Sequence, residues 1–229
     1  RRHRVRVLGG AKRPMRKTMN TKLASVALTV LAAVGVLAGC EYEGDSGPRV
    51  AVVGDSVMRA ADAPLTRQMT VDYRFLRWNQ NGVRIDEQLE MIRPYVDVVE
   101  DPRVLVVELG TNDAAQGRTI GQVRASIDEL LSVVLPSVRG CLIWFNLKTT
   151  DIGPGTPLVY NDRAPRINAL LTEIDAAQPK VRVFDYAAWA AGRPELFYPD
   201  GIHPNPDGAR ALAAETVRQV GFGCTAPPA

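Results

Sequence analysis

The strongest constraint on this chain is a repeated pattern: a short, nearly continuous apolar run that ends near a cluster of glycine and small polar residues. The runs are Arg49–Val53, Tyr73–Trp78, Val104–Leu109, Cys141–Leu147 and Val181–Tyr186. Helical periodicity occupies about Asp86–Val98, Ile120–Leu135, Ala164–Ala177 and Pro206–Val220. Strands that are apolar on both faces are strands covered on both faces. Their alternation with helices predicts an α/β fold, a five-stranded parallel sheet between two helical layers. Asn205 stands where it would cap the last helix, with Pro206 at its first position and Gly221 after its end. Thr149–Asn161 (TTDIGPGTPLVYN) reads as a Gly/Pro-rich loop, long enough to expect a function for it.

The polar clusters carry the chemistry. Gly54-Asp55-Ser56 follows the first run, Asn79-Gln80-Asn81-Gly82 the second, Gly110-Thr111-Asn112-Asp113 the third and Asp200-Gly201-Ile202-His203-Pro204 the fifth. In a doubly wound parallel sheet every strand ends on the same edge, where ligands bind. Four clusters scattered over about 150 residues of sequence are thereby brought together. A serine hydroxyl is a weak nucleophile until a base accepts its proton. Histidine is the usual base, because its unperturbed pKa lies near working pH.

The chain has two histidines, His3 and His203, and His3 falls in a leader-like segment. A Ser–His pair therefore needs His203. Asp200, three residues earlier, is spaced to bond the other imidazole nitrogen. Asp55 and Asp113 are its rivals as the triad acid, and are expected instead to support their turns. The backbone N–H groups of Ser56 and Gly82, with the Asn112 side-chain amide, are candidate donors to the oxyanion of a tetrahedral intermediate.

These four clusters resemble the blocks of the SGNH (GDSL-type) hydrolases, a family of esterases, lipases, thioesterases and carbohydrate acetylesterases. The resemblance runs from about Arg49 to Val220. It implies a flavodoxin-like three-layer α/β/α fold, Ser56 as nucleophile, Asp200 and His203 completing the triad, and Ser56, Gly82 and Asn112 as oxyanion donors. Val57 stands where the longer signature often has leucine, a change beside the chemistry rather than in it.

The first forty residues belong to another argument. Residues 1–22 hold nine Lys/Arg and no acid, and Leu23–Ala38 is apolar and small. A basic segment, a short apolar core and small residues before a cleavage point describe an export signal. The apolar run is shorter than the roughly 20 residues of a spanning helix. Leu37-Ala38-Gly39-Cys40 resembles the lipobox of bacterial lipoproteins, which implies lipidation of Cys40; the alternative is an ordinary secretory signal with an incidental cysteine. Translation is expected to start at Met15 or Met19. The expected organisation is thus a signal and basic extension at 1–39, a tethering linker at 40–48 and a hydrolase domain at 49–229. The whole chain has 28 basic and 25 acidic residues; without the signal the balance is 19 against 25, a net of −6. The basicity resides in the signal, and nothing points to nucleic acid as a partner.

Cys141 and Cys224 remain, an even number in an oxidising compartment, which is the arithmetic of a disulfide. The alternative is one buried thiol and one free one. Gly44-Asp45-Ser46-Gly47-Pro48 looks like a chymotrypsin-type nucleophile motif, but no histidine of the mature chain precedes it, so Ser46 reads as linker. One histidine and scattered acids give no metal-ligand cluster, and the glycine spacing of a nucleotide loop is missing; no cofactor is expected. Trp144, Trp189 and Tyr160 are aromatic candidates for a cleft. Trp144 fits the core better, and Tyr160 with Asn161, at the end of the long loop, fits a cleft. The expected reaction is hydrolysis of a carboxylic ester, with a short acyl group such as acetyl, on a small-molecule or glycan substrate. The alternatives are O-acyl transfer to a cell-envelope glycan and a non-catalytic binding lipoprotein. The expected location is the outer face of a bacterial cytoplasmic membrane, through the lipid on Cys40, or secreted if the lipobox is not used.

Overall fold

Five apolar segments pair in parallel as one sheet: β1 (Arg49–Gly54), β2 (Arg74–Asn79), β3 (Val104–Glu108), β4 (Cys141–Phe145) and β5 (Val181–Phe184), in the order β2-β1-β3-β4-β5. The computed structural model describes residues 42–96 and 101–225. The expected signal, start codons and Cys40 lie outside the described residues. Every residue of β3 and β4 is buried, as their unbroken apolar runs require. β1 is an inner strand, with Val50 paired to Phe75 on one side and Val104 on the other.

Helices cover both faces. They are α1 (Ser56–Ala60), α2 (Asp62–Asp72), α3 (Ile85–Ile92), α4 (Thr111–Ala115), α5 (Ile120–Val134), α6 (Leu158–Ala177), α7 (Tyr186–Ala190) and α8 (Pro206–Phe222). The crossover from β1 to β2 runs one way along the sheet, and those from β2 to β3, β4 and β5 run the other. Right-handed crossovers then put α2 on one face and α3, α5 and α6 on the other. The contacts agree: α2 packs on α8, α3 on α5, and α5 on α6. This is the expected three-layer α/β/α arrangement, and its direction of winding reverses between β1 and β3, where such sheets bind ligands.

Several boundaries differ from the sequence reading. The helix α2 was not expected; only Leu65 and Met69 of its eleven residues are buried, too few to show a period. Helix α6 begins at Leu158 rather than near 164 and continues through Pro165. The loop after β4 is correspondingly shorter, and Tyr160 is corrected from cleft to core: its ring is buried and its hydroxyl donates to the Lys148 carbonyl at 2.8 Å. Asn161, the other cleft candidate, is an exposed residue of the same helix. Trp144 is in the core, its indole N–H donating to the Leu109 carbonyl at 3.2 Å. Gly221 lies inside α8, which ends at Phe222 and is capped by Gly223. Asn205 caps α8 as expected, its side-chain oxygen taking the N–H groups of Asp207 and Gly208 at 3.0 Å.

The described part of the segment expected to be a tether is held against the domain. Glu43 exchanges two backbone hydrogen bonds of 2.7 Å with Phe75 on the outer side of β2. Ser46 lies exposed in this segment, which leads into the start of β1 at the edge opposite Ser56. Near that edge Cys141, the first residue of β4, is disulfide-bonded to Cys224 just past α8, with Cα atoms 5.4 Å apart. Among the described residues no helix is long and apolar enough to cross a membrane.

Candidate active site

Ser56 occupies the first position of α1, immediately after β1. Its helix has three of its first N–H groups engaged. Val57 N–H donates to Asp55 Oδ1 at 2.9 Å, Met58 N–H to Glu108 Oε2 at 3.1 Å, and Arg59 N–H to the Asp55 carbonyl at 2.9 Å. Among the described residues the Ser56 N–H has no hydrogen-bond partner. A helix N-terminus with a free donor favours an approaching negative charge.

The serine hydroxyl lies 2.9 Å from His203 Nε2, across 147 residues of sequence. His203 Nδ1 lies 2.8 Å from Asp200 Oδ2. Asp200 Oδ1 accepts the N–H groups of Ile202 and His203 at 2.9 and 3.0 Å. Burial alone would push the Asp200 carboxyl up, but these two N–H groups and the imidazole outweigh it and hold the carboxyl below its ordinary value. An ionised Asp200 accepts a hydrogen bond from Nδ1–H, which leaves Nε2 as the acceptor for the Ser56 hydroxyl. The His203 side chain is 42% exposed and so reachable by substrate.

The loop carrying this pair is clamped from below. The Asp200 carbonyl accepts Gly153 N–H at 2.8 Å and the Thr156 hydroxyl at 3.0 Å. Gly201 has φ +69, and a Cβ there would run into the Asp151 carbonyl oxygen. Glycine is required at this point on both counts. Lys148 is buried, donates to the carbonyls of Thr150 and Asp151, and lies 4.7 Å above the Phe197 ring. Burial pushes its ammonium down, against the upward pull of Asp151 and Asp200. The Gly/Pro-rich stretch after β4 thus supports the histidine loop. Sequence reasoning gave it a function without identifying which.

Gly82 follows β2 on an exposed turn with φ +74 and open space beside it. Asn112 lies in α4 at the end of β3, and its side-chain N–H donates to Asp55 Oδ2 at 3.2 Å. Asp55 and Asp113, the rival triad acids, are not bonded to the imidazole, whose two nitrogens are taken by Ser56 and Asp200, and hold backbone N–H groups instead. Asp113 Oδ2 accepts Ile85 N–H at 3.1 Å, joining the third cluster to the helix that follows the second. Burial pushes the Asp113 carboxyl up to about 6. Trp189 is half-buried, stacked on Tyr186 with ring centroids 5.4 Å apart. Glu108, which the sequence reading passed over, is buried at the end of β3 against Asp55. A charged residue closing an otherwise apolar strand beside the Gly-Thr-Asn-Asp block was the available signal.

The comparisons with known proteins agree with this fold. A lipase/acylhydrolase from Enterococcus faecalis has a similar fold, with a TM-score of 0.61 and 18% identity, covering 79% of this chain and all of that one. A catalytic mutant of Axe2, an acetylxylan esterase from Geobacillus stearothermophilus, gives a TM-score of 0.61 at 14% identity, covering 80% of this chain and 98% of that one. In sequence, a putative peptidoglycan O-acetyltransferase, YrhL of Bacillus subtilis (strain 168), is 25% identical over 177 residues, 76% of this chain. This chain spans only 24% of that relative's length. The model of the GDSL-like Lipase/Acylhydrolase family matches residues 49–211, from the first strand through the histidine block into the last helix. A five-stranded parallel sheet of this winding and a family match over most of the chain lead to one statement: the chain belongs to the GDSL-like lipase/acylhydrolase, or SGNH, family.

Proposed function

We propose that the protein is a serine hydrolase that cleaves short-chain carboxylic esters, acetyl esters of glycans foremost, through an acyl-enzyme on Ser56. The observation that carries this is the hydrogen-bond chain from Ser56 through His203 to Asp200, 2.9 and 2.8 Å long. As the Ser56 oxygen attacks the ester carbonyl, its proton passes to His203 Nε2, and Asp200 stabilises the imidazolium. The oxyanion is held by the N–H groups of Ser56 and Gly82 and the Asn112 amide. His203 then returns the proton to the departing alcohol, leaving the acyl group on Ser56. Water enters, His203 takes its proton, and collapse of the second tetrahedral intermediate releases the acid and regenerates Ser56.

The acetyl preference draws on the acetylxylan esterase neighbour and the O-acetyltransferase relative. The relative also supports a second reading, in which a sugar hydroxyl of the cell envelope replaces water in the second step. For location we propose export and lipid anchoring through Cys40, supported by the Leu-Ala-Gly-Cys sequence after an apolar run. In that reading the partners are the membrane and the ester substrate.

The test is hydrolysis of p-nitrophenyl acetate and acetylated glycans by the wild type and Ser56→Ala. Activity is expected to disappear in the variant, and its persistence would refute the mechanism. Acetylated acceptor formed without net hydrolysis would favour the transferase. A folded wild type that a fluorophosphonate fails to label at Ser56 would favour a binding protein.

A further inference from the structure

We propose that Glu108 is a positioning residue for the oxyanion hole, its carboxyl group donating the hydrogen bond that fixes Asp55, which in turn fixes the amide of Asn112. The inference rests on the reading of Asn112 and Ser56 as oxyanion donors. The β1–β3 register ends with Gly54 opposite Glu108, so Asp55 follows at the point where the sheet's winding reverses. Asp55 N–H donates to the Glu108 carbonyl at 3.0 Å, which sets the two side chains together. Both are buried, Asp55 at 0% exposure and Glu108 at 1%, and each carboxyl group acts on the other's charge. Two carboxylates are acceptors only, so the bond proposed between them requires a proton on one.

The partners decide which. Asp55 accepts from Val57 N–H at 2.9 Å and from the Asn112 amide at 3.2 Å, two donors that favour its charge, and nearby Thr111 favours it further. Glu108 accepts from Met58 N–H at 3.1 Å. The proton therefore resides on Glu108 and points to Asp55. Burial, then the Asp55 charge, pushes the Glu108 carboxyl well above its ordinary value, while burial brings Asp55 to about 6. The other titratable groups facing the pair are His203, Tyr160 of α6 and Tyr186 of α7. Both phenols are themselves pushed up, first by burial.

The consequence is geometric. The Asn112 amide is planar and has two N–H bonds; with one committed to Asp55 Oδ2, the direction of the other is set. Glu108 Oε2 meanwhile holds Met58 N–H, which fixes the first turn of α1 and with it the Ser56 N–H. One buried side chain thus aligns two of the three oxyanion donors without touching substrate.

The experiment compares the full chain with Glu108→Gln and Glu108→Leu. Glutamine keeps an N–H donor toward Asp55 and a carbonyl toward Met58 N–H; leucine keeps neither. With p-nitrophenyl acetate, Glu108→Gln should retain kcat within about threefold. Glu108→Leu should lose about 10²-fold in kcat with KM little changed, the scale of one lost oxyanion donor. Infrared spectra should show a protonated-carboxyl C=O band in the wild type that is absent from Glu108→Gln. A Gln variant as slow as the Leu variant, or a band that survives Glu108→Gln, overturns the proposal. If Glu108→Leu does not fold, the Gln kinetics and the infrared band decide. Failure of the underlying reading is separately visible, because Asn112→Ala would then keep the wild-type kcat while Glu108→Gln still removes the infrared band.

Discussion

Asp113 offers a quantitative test of how the site is held together. Its carboxylate accepts the Ile85 N–H and so braces the helix after Gly82, but burial raises its pKa from an ordinary 3.8 to about 6. Asp86 adds to that rise, and Arg118 and Arg84 oppose it. At about 1.4 kcal/mol per pKa unit, the interval between those two values corresponds to about 3 kcal/mol. The sign follows from proton binding. Below pH 3.8 folded and unfolded chains both hold the proton; between the two values only the folded chain does; above 6 neither does. The folded pKa is the higher one, so the stabilisation is full at low pH and is lost as pH rises through about 6. Asp113→Asn keeps a carbonyl for Ile85 N–H and has nothing to titrate. Urea unfolding of both proteins at steps between about pH 4 and 7.5 should show wild-type stability falling relative to Asp113→Asn, by up to about 3 kcal/mol. Asp55 and Glu108 titrate in both proteins and cancel in the difference. A difference that stays constant with pH would refute the reasoning. A wild type that gains on the variant as pH rises would show that Arg84 and Arg118 outweigh burial.

Other expectations are simpler. Asn112→Ala should lower kcat by about 10²–10³ with KM nearly unchanged in steady-state kinetics, and an unaltered kcat would remove Asn112 from the oxyanion hole. Gly201→Ala must place a Cβ at φ +69 against the Asp151 carbonyl, so thermal melts should show a lowered Tm and activity should fall with it; a wild-type Tm would mean the loop adjusts freely. Replacing both Cys141 and Cys224 by alanine removes a cross-link spanning 83 residues, worth up to about 4.5 kcal/mol by chain entropy, readable as a lower urea midpoint. An unchanged midpoint would refute that role for the bond.

The legible parts of this molecule were those written in local pattern. β3 and β4 are unbroken apolar runs, and α8 has a cap, a first-position proline and a buried face. The Ser56–His203 pairing was legible for a different reason. Once parallel strands are inferred their ends must share an edge, and the chain offers one histidine beyond its basic and apolar N-terminal segment. What stayed hidden depends on neighbours distant in sequence. Helix α2 shows little period because it is steadied by α8 rather than by its own apolar face. Pro157 and Pro165 disguised the first turns of α6, one preceding the helix and one inside it, and so Tyr160 looked like loop. The Asp55–Glu108 pair has no sequence signature, since 53 residues separate two acids that meet only when β1 and β3 align.

The 147 residues between Ser56 and His203 also set when activity can appear. Closing so long a loop is entropically costly, and sheets built from non-local parallel pairings fold slowly. In the proposed mechanism the nucleophile enters with the first strand and its base just before α8, so a nascent chain would present an inert serine until all five strands had emerged. Ester turnover, on that proposal, would be a clock for the completion of the sheet, silent through every earlier stage of its assembly.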